Sequence, residues 1–381
     1  MSVKTQIDEL TGLRGVAALF ILLNHILLVY PVLRNNVISS SLSCLGYMGM
    51  DLFFILSGFV ICYNYADRIK NNPQNGIREF LVARFARLYP LYILFIVFFF
   101  LFYFLKYHNN TELIAQNITS LPIFISGMQS WFYGFIGDTP IIHMQGSANI
   151  SWSISTEFAL YLFFIPLVWL LLKLNSKKAY IISIVSLIII QILWIEFSHH
   201  NNFIVSFLNK TFGEHSNYAA STWLNFHSPI SRLWQFLCGC VIARSYNPET
   251  QGGGLLRLYK TLGWLSGLTI AGLVIAAPRI NISYLQYFTM PLWVLFILFT
   301  VHSENKILKS KLFIFLGNVS YSTYLLHIIL VLYLSYDGNH LISYIINLPL
   351  FFVLTYLMAY IVYKYYEMPM RKKVKDFLLN R

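Results

Sequence analysis

Seven side chains pose the chemical problem. His25, Asp51, Glu157 and His327 are titratable and lie within long apolar runs, while Arg14, Arg84 and Arg87 stand at the ends of such runs. An ionisable group inside an apolar span is costly to bury and is read first as functional, with a partner to be named. A neutral imidazole accepts a proton near neutral pH, and a nearby carboxylate orients the ring or stabilises its imidazolium. Guanidinium groups hold phosphates in bidentate fashion. These residue types together suit proton removal from a hydroxyl beside a bound anionic donor.

The spacing sharpens this. Eleven residues separate Arg14 from His25; at 100° per residue they fall about 20° apart on one helix face, with about 16 Å between them. Such a strip has a cation at its mouth and a base at its far end, and fits an elongated anion. Arg84 and Arg87 are three apart and share a helix face, with Pro90 following. Rises of 1.5 Å per residue place His25 and His327 about 12 Å from the nearer span end, Asp51 about 9 Å and Glu157 about 7.5 Å. Four polar groups in one layer point to one interior site. Each also has a plainer reading: packed histidines, Asp51 paired with Arg232, Arg14 as a snorkelling anchor, and Arg84 and Arg87 as ordinary interfacial charge.

The elements that must carry these residues are membrane helices. Of 381 residues 57% are hydrophobic, 11% charged and 17% aromatic, and the mean hydropathy is +0.62. A soluble domain carries about 25% charged residues, so an ordinary soluble enzyme and a disordered chain are both excluded. Ten runs reach or approach the roughly 20 apolar residues of a spanning helix: 13–33, 45–65, 85–105, 152–174, 179–197, 229–245, 262–277, 284–302, 313–335 and 341–366. Segment 118–127 is too short to cross. The expected fold is an all-α, polytopic membrane protein of about ten spans, with 1–381 as a single membrane domain. With the N-terminus in the cytoplasm, only Arg34, Lys106, Lys210, Arg232 and Arg279 of the 27 basic residues fall outside, as the positive-inside rule expects. Both termini are therefore expected in the cytoplasm. The net charge of +12 is a topology signal in clusters between spans, so no nucleic-acid partner is expected; membrane lipids are.

Four cysteines (Cys44, Cys62, Cys238, Cys240) form no extracellular disulfide framework, and Cys238-x-Cys240 suits helix packing. No metal-ligand spacing, Gly-rich phosphate loop or GxSxG elbow occurs. The His-bearing loop 198–228, with His199, His200 and His215, reads as solvated. That loop and 106–151 hold amide and aromatic side chains suited to carbohydrate. The competing class is a transporter or flippase of polyprenyl-linked glycan, although no inverted pair of broken spans stands out.

Six segments in order resemble acyltransferase family 3, the polytopic membrane O-acyltransferases. LTGLRGVAALFILLNH carries Arg14 and His25; GYMGMDLFFILSGFVI carries Gly46, Gly49, Asp51, Phe53, Phe54, Ser57, Gly58 and Phe59; RFARLYP carries Arg84, Arg87 and Pro90. ISWSISTEFALYLFFIP carries Trp152, Ser153, Glu157 and Tyr161; RLWQFLCGC carries Arg232, Phe236 and Gly239; LGNVSYSTYLLH carries Gly317, Ser320, Tyr321, Tyr324 and His327. The resemblance implies acyl transfer from cytoplasmic acyl-CoA, acetyl-CoA above all, to a hydroxyl of a surface polysaccharide such as O-antigen or exopolysaccharide, free or lipid-linked, at a bacterial inner membrane. It implies no permanently bound cofactor. His25 is then the catalytic base or a covalent carrier, with Glu157 or Asp51 orienting it and Arg14, Arg84 and Arg87 holding the donor. Trp152, Ser153, Tyr161, Arg232, Tyr321 and His327 line the substrate or the surrounding shell. Many relatives append an SGNH-type domain, and this chain is expected to be the stand-alone form.

Overall fold

The computed structural model describes residues 7–29, 37–200, 202–212, 220–246, 254–280, 282–302, 305–334 and 341–380. Lys4, Arg34, His215 and Arg381, which entered the topology and loop readings, lie outside the described residues.

The elements run α1 (Asp8–Val29), α2 (Val37–Asn71), α3 (Pro73–Lys106), α4 (Thr111–Ile125), a two-residue hairpin β1 (Phe135–Ile136) and β2 (Thr139–Pro140), and α5 (Trp152–Leu171). They continue with α6 (Lys177–His200), α7 (Asn202–Phe212), α8 (Ala220–Thr222), a π turn (Trp223–His227) and α9 (Pro229–Ser245). The last are α10 (Gly254–Ala276), α11 (Ile282–His302), α12 (Lys311–Asn318), α13 (Ser320–Leu334), α14 (Leu341–Val362) and α15 (Met368–Leu379). Eight helical stretches among the described residues are long and apolar enough to cross a membrane, nine if the bent pair α12–α13 is one span. The protein is thus all-helical and polytopic. The expected span 229–245 is a helix, α9, but its 17 residues fall short of the roughly 20 needed to cross unaided.

Helices overrun the apolar windows where the sequence allows it. The basic stretch between the second and third spans is helical except at Asn72, whose side chain accepts from the Asn75 amide at 3.2 Å and caps α3, with Pro73 at its first position. Such a cap satisfies one orphan amide and Pro costs nothing there. The charged residues on either side are good helix formers, so the chain needs no longer loop.

The chain divides into two compact units. The first comprises residues 1–66, 174–188 and 235–365; the second comprises 67–173, 189–234 and 366–381.

In the first unit, α2 and α9 cross backbone to backbone. A Cβ on Gly58 would lie 1.9 Å from the Phe236 carbonyl oxygen, and one on Gly239 would lie 1.9 Å from that of Ile55. The Cys240 thiol donates to the Gly58 carbonyl at 3.3 Å, and all four cysteines are buried and free. Gly58→Ala and Gly239→Ala are each expected to destabilise by about 1–3 kcal/mol or more, because backbone rather than a flexible side chain must yield. Thermal unfolding of the detergent-solubilised protein measures this, and an unchanged midpoint would show a looser crossing. Another close approach is at Gly317, where a Cβ would sit 1.9 Å from the Thr11 carbonyl oxygen. There the ninth span breaks, with α12 and α13 meeting at 68°. The break sets Ser320 beside α1.

In the second unit, α3 and α5 pack through Phe80, Tyr161 and Phe164, with ring centroids 5.8 and 5.3 Å from Phe80. α15 lies along α3: Arg78 donates to the Leu378 carbonyl at 2.8 Å, and the Tyr366 hydroxyl to that of Pro90 at 3.0 Å. The connection before α5 is tied down by side chains. Gln145, a non-glycine residue with a left-handed backbone (φ 58°), donates to the Asn117 carbonyl at 2.7 Å and to Ser120 at 2.9 Å.

Candidate active site

α1 is unbroken from Asp8 to Val29, so Arg14 and His25 share a face as their spacing requires. The Arg14 guanidinium donates to the Ser320 hydroxyl at 3.4 Å. At the other end of the strip, His25 Nδ1 and His327 Nε2 are 2.9 Å apart, and the rings stack at 4.8 Å with planes 25° apart. His327 is buried, and its Nδ1 lies 3.2 Å from the Thr323 carbonyl oxygen.

This chain of bonds fixes the protons. The Thr323 carbonyl only accepts, so His327 Nδ1 carries a hydrogen. Neutral His327 then has a lone pair at Nε2, and the bond to His25 requires a hydrogen on His25 Nδ1. His25 Nε2 is left with its lone pair. The atom free to remove a proton is therefore set by the hydrogen bond its ring partner makes. The hydrogen-bond partner of His25 is His327, which the sequence places in the surrounding shell.

Asp51 is buried in the same unit and accepts from Gln235 at 3.3 Å and from the Thr289 hydroxyl. Tyr321 is buried near the start of α13, and Tyr324 lies with its ring 6.1 Å from that of His327.

The second unit gathers the other predicted residues into two groups. In the first, the Tyr161 hydroxyl donates to Glu157 at 2.5 Å, within the electrostatic reach of Arg84 and Arg87. Arg84 is buried and Arg87 half-buried on α3. Two guanidinium groups thus stand beside a Tyr–Glu pair. In the second, Arg232 lies over the Phe226 ring at 4.4 Å and the Trp152 ring at 5.7 Å, and its Nε donates to the Phe226 carbonyl at 2.9 Å. Ser153 is buried beside Trp152 on α5. Two histidines not singled out by the sequence join this group: His227 against Trp152 at 4.8 Å, and His143 at 6.3 Å from His227. Burial holds His143 below the ordinary imidazole range, and burial with His143 and the Arg232 cation holds His227 well below it. Both surroundings favour the uncharged ring. No spacing rule joins residues 143 and 227; the π turn Trp223–His227 presents the second of them. Among the described residues no three His, Cys, Asp or Glu side chains converge as a metal site requires.

Helices long and apolar enough to cross a membrane, with a hydrogen-bonded histidine pair in one unit and arginine groups in the other, make a polytopic membrane protein, and comparison with known proteins gives it a family. A model described as an acyltransferase domain, that of acyltransferase family 3, matches residues 7–364, and the chain belongs to that family. It is 25% identical over 391 residues to O-acetyltransferase OatA of Staphylococcus aureus strain NCTC 8325, covering 96% of this chain and 57% of that protein. It is 24% identical over 382 residues to the protein named "Putative O-acetyltransferase SACOL0978" of S. aureus strain COL, covering 96% and 58%. A segment of 86 residues is 44% identical to "Protein 2 in picA locus" of Rhizobium radiobacter, covering 22% of this chain and 39% of that one. The chain thus spans less than three fifths of the length of these staphylococcal relatives. No solved structure matches it significantly.

Proposed function

We propose that the protein moves an acetyl group from acetyl-CoA to a hydroxyl of a cell-surface glycan at a bacterial plasma membrane, with both termini in the cytoplasm. The observation that carries this reading is the free lone pair at His25 Nε2, imposed by the His25–His327–Thr323 chain. An acyl transfer to a hydroxyl needs such an atom. His25 Nε2 takes the hydroxyl proton as the oxygen attacks the thioester carbonyl carbon. The C–O bond forms, the C–S bond breaks, and the proton passes from His25 to the departing thiolate. The charge on the His25 ring during the step is shared through its Nδ1–H bond to His327.

Arg14, on the His25 face of α1, is a cation proposed for the donor's phosphates; Arg84 and Arg87, beside Tyr161 in the second unit, are separately proposed for the same role. The name of the staphylococcal relative O-acetyltransferase OatA supports acetyl as the group and oxygen as its destination.

Membranes containing the protein, given acetyl-CoA labelled on the acetyl group and a glycan extract of the host, are expected to place label in an alkali-labile ester. No ester and no coenzyme A release, with folded protein and with other acyl donors tried, would overturn the reading. Coenzyme A is also expected to raise the unfolding temperature of the purified protein. The double variant Arg84→Ala/Arg87→Ala should lose most of that rise, since stabilisation by a ligand follows its affinity. A full rise in the variant would remove the two arginines from donor binding.

A further inference from the structure

α5 has two chemically different faces. Counting 100° per residue from Glu157, Tyr161 lies about 40° away, on the side that meets Arg84 and Arg87, whereas Trp152, Ala159 and Phe163 fall at about 220°, 200° and 240°. The second face is unused by the acyl-transfer chemistry above. It borders an open cleft of about 180 Å³ walled mainly by Trp131, Phe132, Leu162, Phe163, Trp223 and Ile230. The two indole N–H groups turn away from the cleft into protein: Trp131 donates to the Ser155 carbonyl at 2.9 Å and Trp223 to that of Ser130 at 3.0 Å. What they offer the cleft is ring surface.

The same face changes character at its N-terminal end. Trp152 packs there against Phe226 at 5.0 Å and His227 at 4.8 Å. His143 stands 6.3 Å from His227, with the Asn149 amide 3.5 Å from its Nδ1. His143 and His227 are half-buried, and Trp152 beneath them is buried. From Trp152 to Phe163 the helix rises about 16 Å.

That order of polarity is the order found in a membrane amphiphile. The polar cluster sits at the end of a spanning helix, where a bilayer meets water. The cleft lies further along the span, where Leu162 and Phe163 are 47% and 36% exposed and Phe132 and Ile230 flank it at 58% and 42%. In a bilayer such surface meets hydrocarbon, so a chain enters the cleft sideways without leaving an apolar medium. An ordinary lipid-facing wall has neither a cleft between indoles nor a histidine pair at its top. The head group is also constrained. Neutral imidazoles, an amide and aromatic rings pair with hydroxyl and amide groups; a bare phosphate would call for free cations, and the Arg232 guanidinium is laid over Phe226 and bonded to its carbonyl.

We propose that this face of α5 binds a glycolipid, with the sugar head at His143 and His227 and the hydrocarbon chain in the cleft between Trp131 and Trp223. Its role as the hydroxyl acceptor rests on the acyl-transfer reading; its binding does not.

The test uses the full-length protein in lipid vesicles and a dodecyl glucoside carrying a diazirine on its chain. After irradiation, label is expected at Phe132, Leu162, Phe163 and Ile230, saturable and competed by dodecyl glucoside better than by dodecanol. Leu162→Trp, a change at an exposed position that folding tolerates, should narrow the cleft and cut this labelling at least fivefold. His227→Ala should raise the concentration needed for half-saturation, with the labelled positions unchanged. Labelling equally strong at the exposed positions Leu193, Ile275 and Leu357, or indifferent to Leu162→Trp, would overturn the site. Specific labelling without any acetyl-CoA-dependent ester on glycan or glucoside would leave the site standing and sink the acyl-transfer reading. Ester formation on glycan that Leu162→Trp leaves unchanged would instead remove the glycolipid from the acceptor role.

Discussion

His25→Ala is expected to lower acyl transfer by about a thousandfold, the middle of the range for loss of a positioned general base, while coenzyme A still stabilises the variant as it does the wild type. The loss should fall on kcat and leave KM for acetyl-CoA nearly unchanged, because the group removed acts on the acceptor proton and the transition state. His25→Gln should do no better: an amide nitrogen at the position of the ring nitrogen donates but takes no proton. The same nitrogen serves if the acyl group rides on His25, since only the unprotonated Nε2 is nucleophilic. Acid quenching of the wild type with labelled acetyl-CoA and no acceptor separates the two routes: label that stays on the protein and is absent from His25→Ala marks the covalent one. Transfer by His25→Ala within tenfold of the wild type would sink both.

Much of the site's longitudinal order is legible in the sequence, and little of its lateral order. The eleven-residue interval in an unbroken α1 fixes Arg14 and His25 on one face, and the three-residue interval does the same for Arg84 and Arg87. Depth along a span is also readable, and the similar depths of His25 and His327 anticipate that they share a layer. Depth leaves the azimuth open, however. The two histidines are 302 positions apart, and whether they touch depends on how α1 and α13 are rotated, which tertiary contacts decide. The break between α12 and α13 is a case in point. Hydropathy runs smoothly across 313–335, and the bend falls beside Gly317, where the chain comes against the Thr11 carbonyl. The apolar windows likewise report the hydrocarbon thickness and not helix length. α2 and α3 therefore reach 35 and 34 residues, with Arg68, Lys70 and Arg78 in helix where a loop was the natural expectation. Asp51 is the reverse case: its motif marks it, yet its partners Gln235 and Thr289 come from α9 and α11 and carry no spacing signal.

His327 offers the sharper test of the proton arrangement, because a structural role and a tautomer-setting role predict opposite orders of damage. His327→Leu fills a buried, mostly apolar position and is the milder change on packing grounds alone. It also removes the acceptor of the His25 Nδ1–H bond and frees His25 to carry its hydrogen on Nε2, the wrong nitrogen for a base. kcat is therefore expected to fall by about a hundredfold, roughly 2.7 kcal/mol of barrier, with little change in KM for the donor. His327→Gln puts an amide oxygen near the place of Nε2, where it accepts from His25 Nδ1–H and preserves the useful tautomer, so it should keep activity within about tenfold of the wild type. If packing were all that His327 supplies, Leu would outperform Gln, and that ranking would refute the proton assignment. The double variant His25→Ala/His327→Leu gives an independent check. A positioning residue acts through the base it positions, so with the base gone its removal should add almost nothing, and the two losses should fall far short of additivity.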